Sequence, residues 1–282
     1  VAFTTVVDSA TLAAHLADPD WVVFDCRFDL SKPDAGQRAY AEVHIPGARY
    51  AHLDNDLSSP ITATSGRHPL PDAQLLAEKL GRWGVGRRTQ VVAYDGGAGA
   101  VAARLWWLLR WLGHSAVAVL DGGLSNWQRE QRPLTSSAPA ITPAVFEATI
   151  DQSLWVPTSI VEQLRTQDSH LVLDARSAPR FKGAVEPIDK VAGHIPGAVN
   201  RPFDNNVDAQ GCFLGRDLLR SQFQELLQGR GPAQVINMCG SGVTACHNIL
   251  AMERAGLSGA KLYPGSWSEW IRDSRRPVTK EA

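Results

Sequence analysis

Cys239 follows an apolar run, Val235-Ile236-Asn237-Met238, and precedes Gly240-Ser241-Gly242-Val243-Thr244-Ala245, with a helical stretch from Thr244 to Met252. A thiol between a buried strand and a helix stands at the carboxyl end of the strand, where parallel α/β sheets bind their ligands. Gly240 and Gly242 let the backbone curl so that successive N–H groups point inward as an anion nest, and the positive end of the helix adds to it. Such a loop favours a thiolate and stabilises negative charge that the sulfur later carries. The pattern predicts a nucleophile at Cys239 whose product is held by backbone amides. A cysteine phosphatase would need an arginine six positions after the thiol to clamp phosphate, and position 245 is alanine. A smaller and softer group, the outer sulfur of a cysteine persulfide, fits better.

The other three cysteines carry no comparable surroundings. Cys26 lies within Trp21-Val22-Val23-Phe24-Asp25-Cys26 and Cys246 within the helix after the loop, so both read as small buried hydrophobes. No pair has the spacing of a zinc knuckle or a redox motif, so neither a metal site nor a cofactor is expected. Arg180, six residues beyond the end of the strand at Asp174, falls on the same rim as Cys239.

The elements that position these residues occur twice. Val23-Phe24-Asp25-Cys26-Arg27 parallels Val172-Leu173-Asp174-Ala175-Arg176, and His44-Ile45-Pro46-Gly47-Ala48 recurs as His194-Ile195-Pro196-Gly197-Ala198. Val91-Val92-Ala93-Tyr94-Asp95-Gly96 parallels Val235-Ile236-Asn237-Met238-Cys239-Gly240, and Leu120-Asp121-Gly122-Gly123 with Trp127 parallels Leu262-Tyr263-Pro264-Gly265 with Trp270. Four matches in one order mean tandem copies of a domain. The first copy has Asp95 where the second has Cys239. A carboxylate there would repel a bound anion, so the first copy reads as catalytically silent. Within each copy short apolar runs alternate with helical segments such as Asp72–Leu80 and Asp217–Leu227, which predicts an α/β domain with a parallel sheet flanked by helices. Arg132-Pro133-Leu134-Thr135-Ser136-Ser137-Ala138-Pro139-Ala140 reads as an exposed linker. The expected organisation is a first domain over 5–135, a linker over 136–152 and a second domain over 153–279. His44, His194 and the Asp25/Arg27 and Asp174/Arg176 pairs recur in both copies and so read as structural. Trp106, Trp107 and Trp111 read as core.

The 282 residues carry 28 Lys+Arg against 29 Asp+Glu, for a net charge of −1, which lacks the basic surface that nucleic acid requires. The most apolar stretch, Val101–Leu112, is interrupted by Arg104 and Arg110 and falls short of the ~20 residues of a membrane span. With no secretory signal in Val1-Ala2-Phe3-Thr4-Thr5, a cytoplasmic location is the expectation.

The tandem halves, the repeated His-Ile-Pro-Gly-Ala, the loop from Cys239 to Ala245 and Tyr263-Pro264-Gly265-Ser266-Trp267-Ser268-Glu269-Trp270 closely resemble the two-domain rhodanese-type sulfurtransferases. The resemblance implies tandem rhodanese-like domains, an inactive first domain, and a persulfide on Cys239 formed from a small sulfur donor and passed to cyanide, a thiol or thioredoxin. Thiosulfate enzymes of the family carry cations in the loop. Gly240 and Ser241 stand there in this chain, so the loop is similar to the 3-mercaptopyruvate type, with a thiosulfate:cyanide enzyme as the alternative. A persulfide carrier or redox-sensing module acting on a protein partner is a further alternative. For the mercaptopyruvate type the resemblance implies a relay of Ser241, His68 and Asp54, in which His68 lies within Gly66-Arg67-His68-Pro69. It also implies two arginines for the donor carboxylate and ketone. Arg180 matches the first. Where the second should fall the chain reads Glu186-Pro187-Ile188-Asp189-Lys190, with Lys190 the expected substitute, although lysine cannot form a bidentate fork.

Overall fold

The computed structural model describes residues 2–281, which divide into two compact units. The first comprises the chain through Ser59, Leu70–Asp151 and Ala209–Phe213. The second comprises Pro60–Pro69, Gln152–Asp208 and the chain from Leu214 on.

In the first unit β1 (Val6–Val7), β2 (Trp21–Asp25), β3 (Arg49–Tyr50), β4 (Gln90–Tyr94) and β5 (Val117–Leu120) form a parallel sheet in the order β1-β5-β4-β2-β3. Its helices are α1 (Ser9–Ala14), α2 (Ala35–Glu42), α3 (Ala73–Arg82), α4 (Ala102–Trp111) and α5 (Gly123–Arg129). The central strand β4 is buried along its whole length, as an unbroken apolar run requires when both faces of the sheet are covered. Helix α3 starts where the Asp72 carboxylate accepts the Leu75 N–H at 2.9 Å and ends with Lys79 and Arg82 in its last turn, complementing both ends of the helix dipole. On α4 the indoles of Trp106, Trp107 and Trp111 are buried, as expected.

The second unit repeats the arrangement, with the counterpart of β1 reduced to a single parallel bridge between Trp155 and Leu262. Strands β6 (Leu171–Asp174), β7 (Val199–Asn200), β8 (Val235–Met238) and β9 (Lys261–Leu262) form a parallel sheet in the order β7-β6-β8-β9, matching β3-β2-β4-β5. Helices α6 (Thr158–Leu164), α7 (Ala178–Lys182), α8 (Arg216–Leu227), α9 (Thr244–Arg254) and α10 (Ser266–Trp270) accompany it. Ile236 and Met238 of β8 pack with Val172, Ile195, Tyr263, Trp267 and Trp270 in one apolar cluster. The register sets Asp174 beside Met238, so that the chain leaves both strands at the same edge, just before Cys239.

The repeated residues expected to be structural have matching contacts in both units. Arg27 forks onto the Asp25 carboxylate and reaches the Val43 carbonyl, while Arg176 does the same to Asp174 and the Gly193 carbonyl. His44 and His194 each exchange backbone hydrogen bonds with a threonine, Thr135 and Thr279 respectively. The segment expected as an exposed linker is held closely along the first unit: the N–H groups of Ala144, Thr149 and Asp151 donate to the carbonyls of Gly81, Leu112 and Trp111. Glycine permits this approach, since a Cβ on Gly81 would lie 2.7 Å from the Ala144 oxygen and one on Gly113 2.7 Å from that of Thr149. No helix among the described residues is long and apolar enough to cross a membrane.

Candidate active site

Strand β8 delivers Cys239 to the edge of the second sheet, and the loop 239–244 turns back into α9. Val243 occupies the cap position of α9 with no side-chain cap, which leaves the first N–H groups of the helix facing the loop. The Gly242 N–H donates to the Cys239 sulfur at 3.2 Å, the contact expected of a nest. Gly242 has φ of +77°, and a Cβ there would lie 2.4 Å from the Pro264 carbonyl oxygen, so only glycine gives this turn. Cys239 is 2% exposed and Ser241 6% exposed, which makes the loop a recessed site. Cys246, one turn into α9, donates its S–H to the Gly242 carbonyl at 3.4 Å and so braces the same turn.

A second segment, at the start of α10, supports the loop from behind. The Cys239 N–H donates to Ser266 Oγ at 3.1 Å, and Ser266 Oγ in turn donates to the Tyr263 carbonyl. Ser266 holds φ at +53°, an uncommon conformation for a serine, which these two bonds maintain. The N–H groups of Trp267 and Ser268 donate to the carbonyls of Cys239 and Gly240 at 3.0 and 2.9 Å.

Of the expected relay, the structure brings Ser241 and His68 together: Ser241 Oγ lies 2.6 Å from His68 Nδ1, and both side chains are buried. His68 reaches this position because Pro60–Pro69, although early in sequence, belongs to the second unit. Asp54 belongs to the first unit, where its N–H donates to His52 Nδ1 and burial raises the pKa of its carboxyl.

Arg180, on α7, lies beside the loop as expected. Its Nε and Nη2 form a fork on the Glu186 carboxylate, at 3.1 and 2.8 Å to Oε1, and Nη2 also donates to Asp189 Oδ2 at 3.0 Å. Burial alone would raise the pKa of Glu186, but hydrogen bonds from Arg180 and from the Asp189 and Ile188 N–H groups outweigh it and hold the carboxyl below its ordinary range. Lys190 is exposed. The second cation beside the loop is instead Arg67, whose Nη1 donates to Asp189 Oδ1 at 2.6 Å and whose N–H donates to Ser268 Oγ. A Cβ placed on Gly240 would lie 3.1 Å from Arg67 Nη2 and 3.6 Å from Arg180 Nη1, so both guanidinium groups crowd the bare Cα of Gly240. Nothing in their residue types marks Arg67, Ser266 and Ser268 as neighbours of the loop. The available signal was their position, since Arg67 adjoins His68 and both serines lie within the block after β9.

The carboxylate of Asp95, the counterpart of Cys239, occupies the amide nest of its own loop. Oδ1 accepts from Gly97 and Gly99 N–H, and Oδ2 from Val101 and Ala102 N–H at the start of α4. The first unit therefore satisfies its loop with a fixed carboxylate, whereas the second has the Cys239 thiol at the matching position.

Two parallel α/β units of matching topology, one with a thiol in an amide nest, define the class. The chain belongs to the rhodanese family: the rhodanese-like domain matches residues 8–130 and again 157–273. It is 49% identical, over 95% of its own length and 95% of the relative's, to a Pseudomonas aeruginosa protein named "Probable 3-mercaptopyruvate sulfurtransferase". It is 36% identical to the thiosulfate sulfurtransferase of Rattus norvegicus, over 90% of this chain and 86% of that one. Among solved structures it is similar to the 3-mercaptopyruvate sulfotransferase of Escherichia coli, with a TM-score of 0.81 and 32% identity, covering 95% of this chain and 100% of that one.

Proposed function

We propose that this protein transfers sulfane sulfur from 3-mercaptopyruvate to a thiophilic acceptor through a persulfide on Cys239. The Cys239 thiolate attacks the donor sulfur. The new S–S bond forms as the C–S bond breaks, and its electrons pass to the enolate of pyruvate. The proton of the donor thiol ends on the pyruvate methyl carbon, and Ser241 with His68 is the relay that carries it. The Gly242 N–H stabilises the negative charge that passes from the thiolate to the persulfide. Arg180 and Arg67 hold the donor carboxylate, and cyanide, a thiol or thioredoxin then removes the outer sulfur and restores the thiolate.

The observation that carries the choice of donor is the Ser241–His68 contact at 2.6 Å, because mercaptopyruvate has a thiol proton to move and thiosulfate has none. The test is steady-state kinetics with both donors and cyanide as acceptor. Wild type is expected to favour mercaptopyruvate in kcat/KM. His68→Gln should lower kcat for mercaptopyruvate by about 10²–10⁴-fold, the range for loss of general acid–base catalysis, with little change for thiosulfate. Equal losses for both donors would remove the relay from the account.

A further inference from the structure

The charged groups around Gly240 form a ladder in which Asp174 pairs with Arg176, Arg176 with Glu186, Glu186 with Arg180, Arg180 with Asp189, and Asp189 with Arg67. Three carboxylates meet three guanidiniums, so the ladder has no net charge. Asp189 stands in the stretch where the resemblance calls for an arginine, a reversal of charge. Its carboxylate is 4% exposed and bridges the two guanidiniums nearest the loop, one on each oxygen. Its own N–H is fixed on Glu186 Oε1 at 3.1 Å.

This bridge decides which N–H groups remain for a donor. Arg180 spends Nε and Nη2 on Glu186 and Asp189, and Arg67 spends Nη1 on Asp189. Arg67 Nε is buried without a hydrogen-bond partner among the described residues, and Arg67 Nη2 and Arg180 Nη1 are the guanidinium atoms nearest Gly240. These groups suit one carboxylate. A dianion brings a second charge into a ladder that has no positive charge to spare and meets Asp189 behind both arginines.

We propose that Asp189 sets the charge selectivity of the donor site, admitting the monoanion mercaptopyruvate and disfavouring the dianion thiosulfate. The proposal rests on the donor site described above. Asp189 acts through Arg67 and Arg180 and does not touch the reacting sulfur, so its effect belongs in KM, with kcat little changed. Asp189→Asn keeps an oxygen for one guanidinium and leaves Arg180 forked on Glu186, while giving the ladder one positive charge. Specificity of this kind is a difference between two affinities, one of which is lowered by a built-in repulsion.

The experiment measures kcat and KM for mercaptopyruvate and for thiosulfate in wild type, Asp189→Asn and Asp189→Glu, at low and high salt. Asp189→Asn is expected to raise the ratio of kcat/KM for thiosulfate over mercaptopyruvate by ~10-fold, through KM, with the gain diminishing at high salt. Asp189→Glu, which keeps the charge, should retain the wild-type preference. An equal change for both donors in Asp189→Asn, a rise of KM for both, or the same shift in Asp189→Glu would overturn the proposal. Failure of the wild type to take sulfur from either donor would remove the donor site itself, an outcome distinct from an unchanged ratio in active enzyme.

Discussion

Gly242→Ala perturbs the persulfide cradle at a single atom. The residue holds φ at +77°, where a Cβ costs about 1–2 kcal/mol. The added carbon would stand 2.4 Å from the Pro264 oxygen and 2.9 Å from its Cα, both backbone atoms with no rotamer to yield. Ordinary contact begins at 3.4 Å, so the turn must open by roughly 1 Å. That movement is applied to the residue whose N–H lies 3.2 Å from the Cys239 sulfur. A shift of ~1 Å at a reacting group costs about 10²-fold, and loss of one preorganised donor about 10²–10³-fold in kcat. Single-turnover persulfide formation should therefore slow by about 10²–10³-fold, while the affinity for mercaptopyruvate, held by the arginines, changes little. Backbone strain and the clash together, at ~3 kcal/mol, should lower Tm by about 6–12 °C. The control is Gly97→Ala in the first unit, where a Cβ meets nothing within 4 Å and both measurements should stay near wild type. A Gly242→Ala protein that loses stability yet forms the persulfide within about threefold of the wild-type rate would refute the role given to the Gly242 N–H.

Other perturbations test neighbouring parts of the site. Arg180→Lys keeps the charge but loses the fork on Glu186, and KM for mercaptopyruvate should rise by about 10–100-fold with a smaller effect on kcat, as expected for charged hydrogen bonds worth ~1.5–3 kcal/mol. Glu186→Gln should destabilise the protein at neutral pH. Because the folded-state pKa of Glu186 is depressed, its contribution is complete above the ordinary glutamate range and is lost as pH falls through the folded value, so the Tm gap between wild type and variant should close from roughly pH 4 downward. A gap that widened on acidification would show that the carboxylate is not held by Arg180. Ser266→Ala removes the acceptor of the Cys239 N–H, and kcat should fall by about tenfold or more, since a buried N–H left unpaired costs about 1–3 kcal/mol and lets the loop relax.

The α/β class and the duplication are legible because each depends on local pattern. The apolar run at 91–94 and the run at 235–238, broken only by Asn237, lie in the inner strands β4 and β8, and Cys239 follows the second directly. The helix expected over Asp217–Leu227 is α8, which begins one residue earlier at Arg216. What was not legible depends on where chain segments pack. Residues 60–69 belong to the second unit although they precede most of the first, so the partnership of Arg67 with Asp189 cannot be inferred from spacing. Lys190 was expected as the second cation because it lies in the right stretch of sequence, but its neighbour Asp189 turns inward and bridges arginines from two distant segments. The sequence shows that a carboxylate at Asp95 would repel a bound anion, but not that it reaches the N–H groups of its own loop. A carboxylate on a loop long enough to fold back onto the start of α4 becomes the bound anion itself.

The central claim is a sulfur atom carried on Cys239. The protein is incubated with mercaptopyruvate, freed of excess donor, weighed intact and mapped by peptide under non-reducing conditions. One sulfur atom per chain, located on Cys239, released by cyanide and absent from Cys239→Ser, is the expected result. No added sulfur, or sulfur found equally on Cys26, Cys212 or Cys246, would contradict the account.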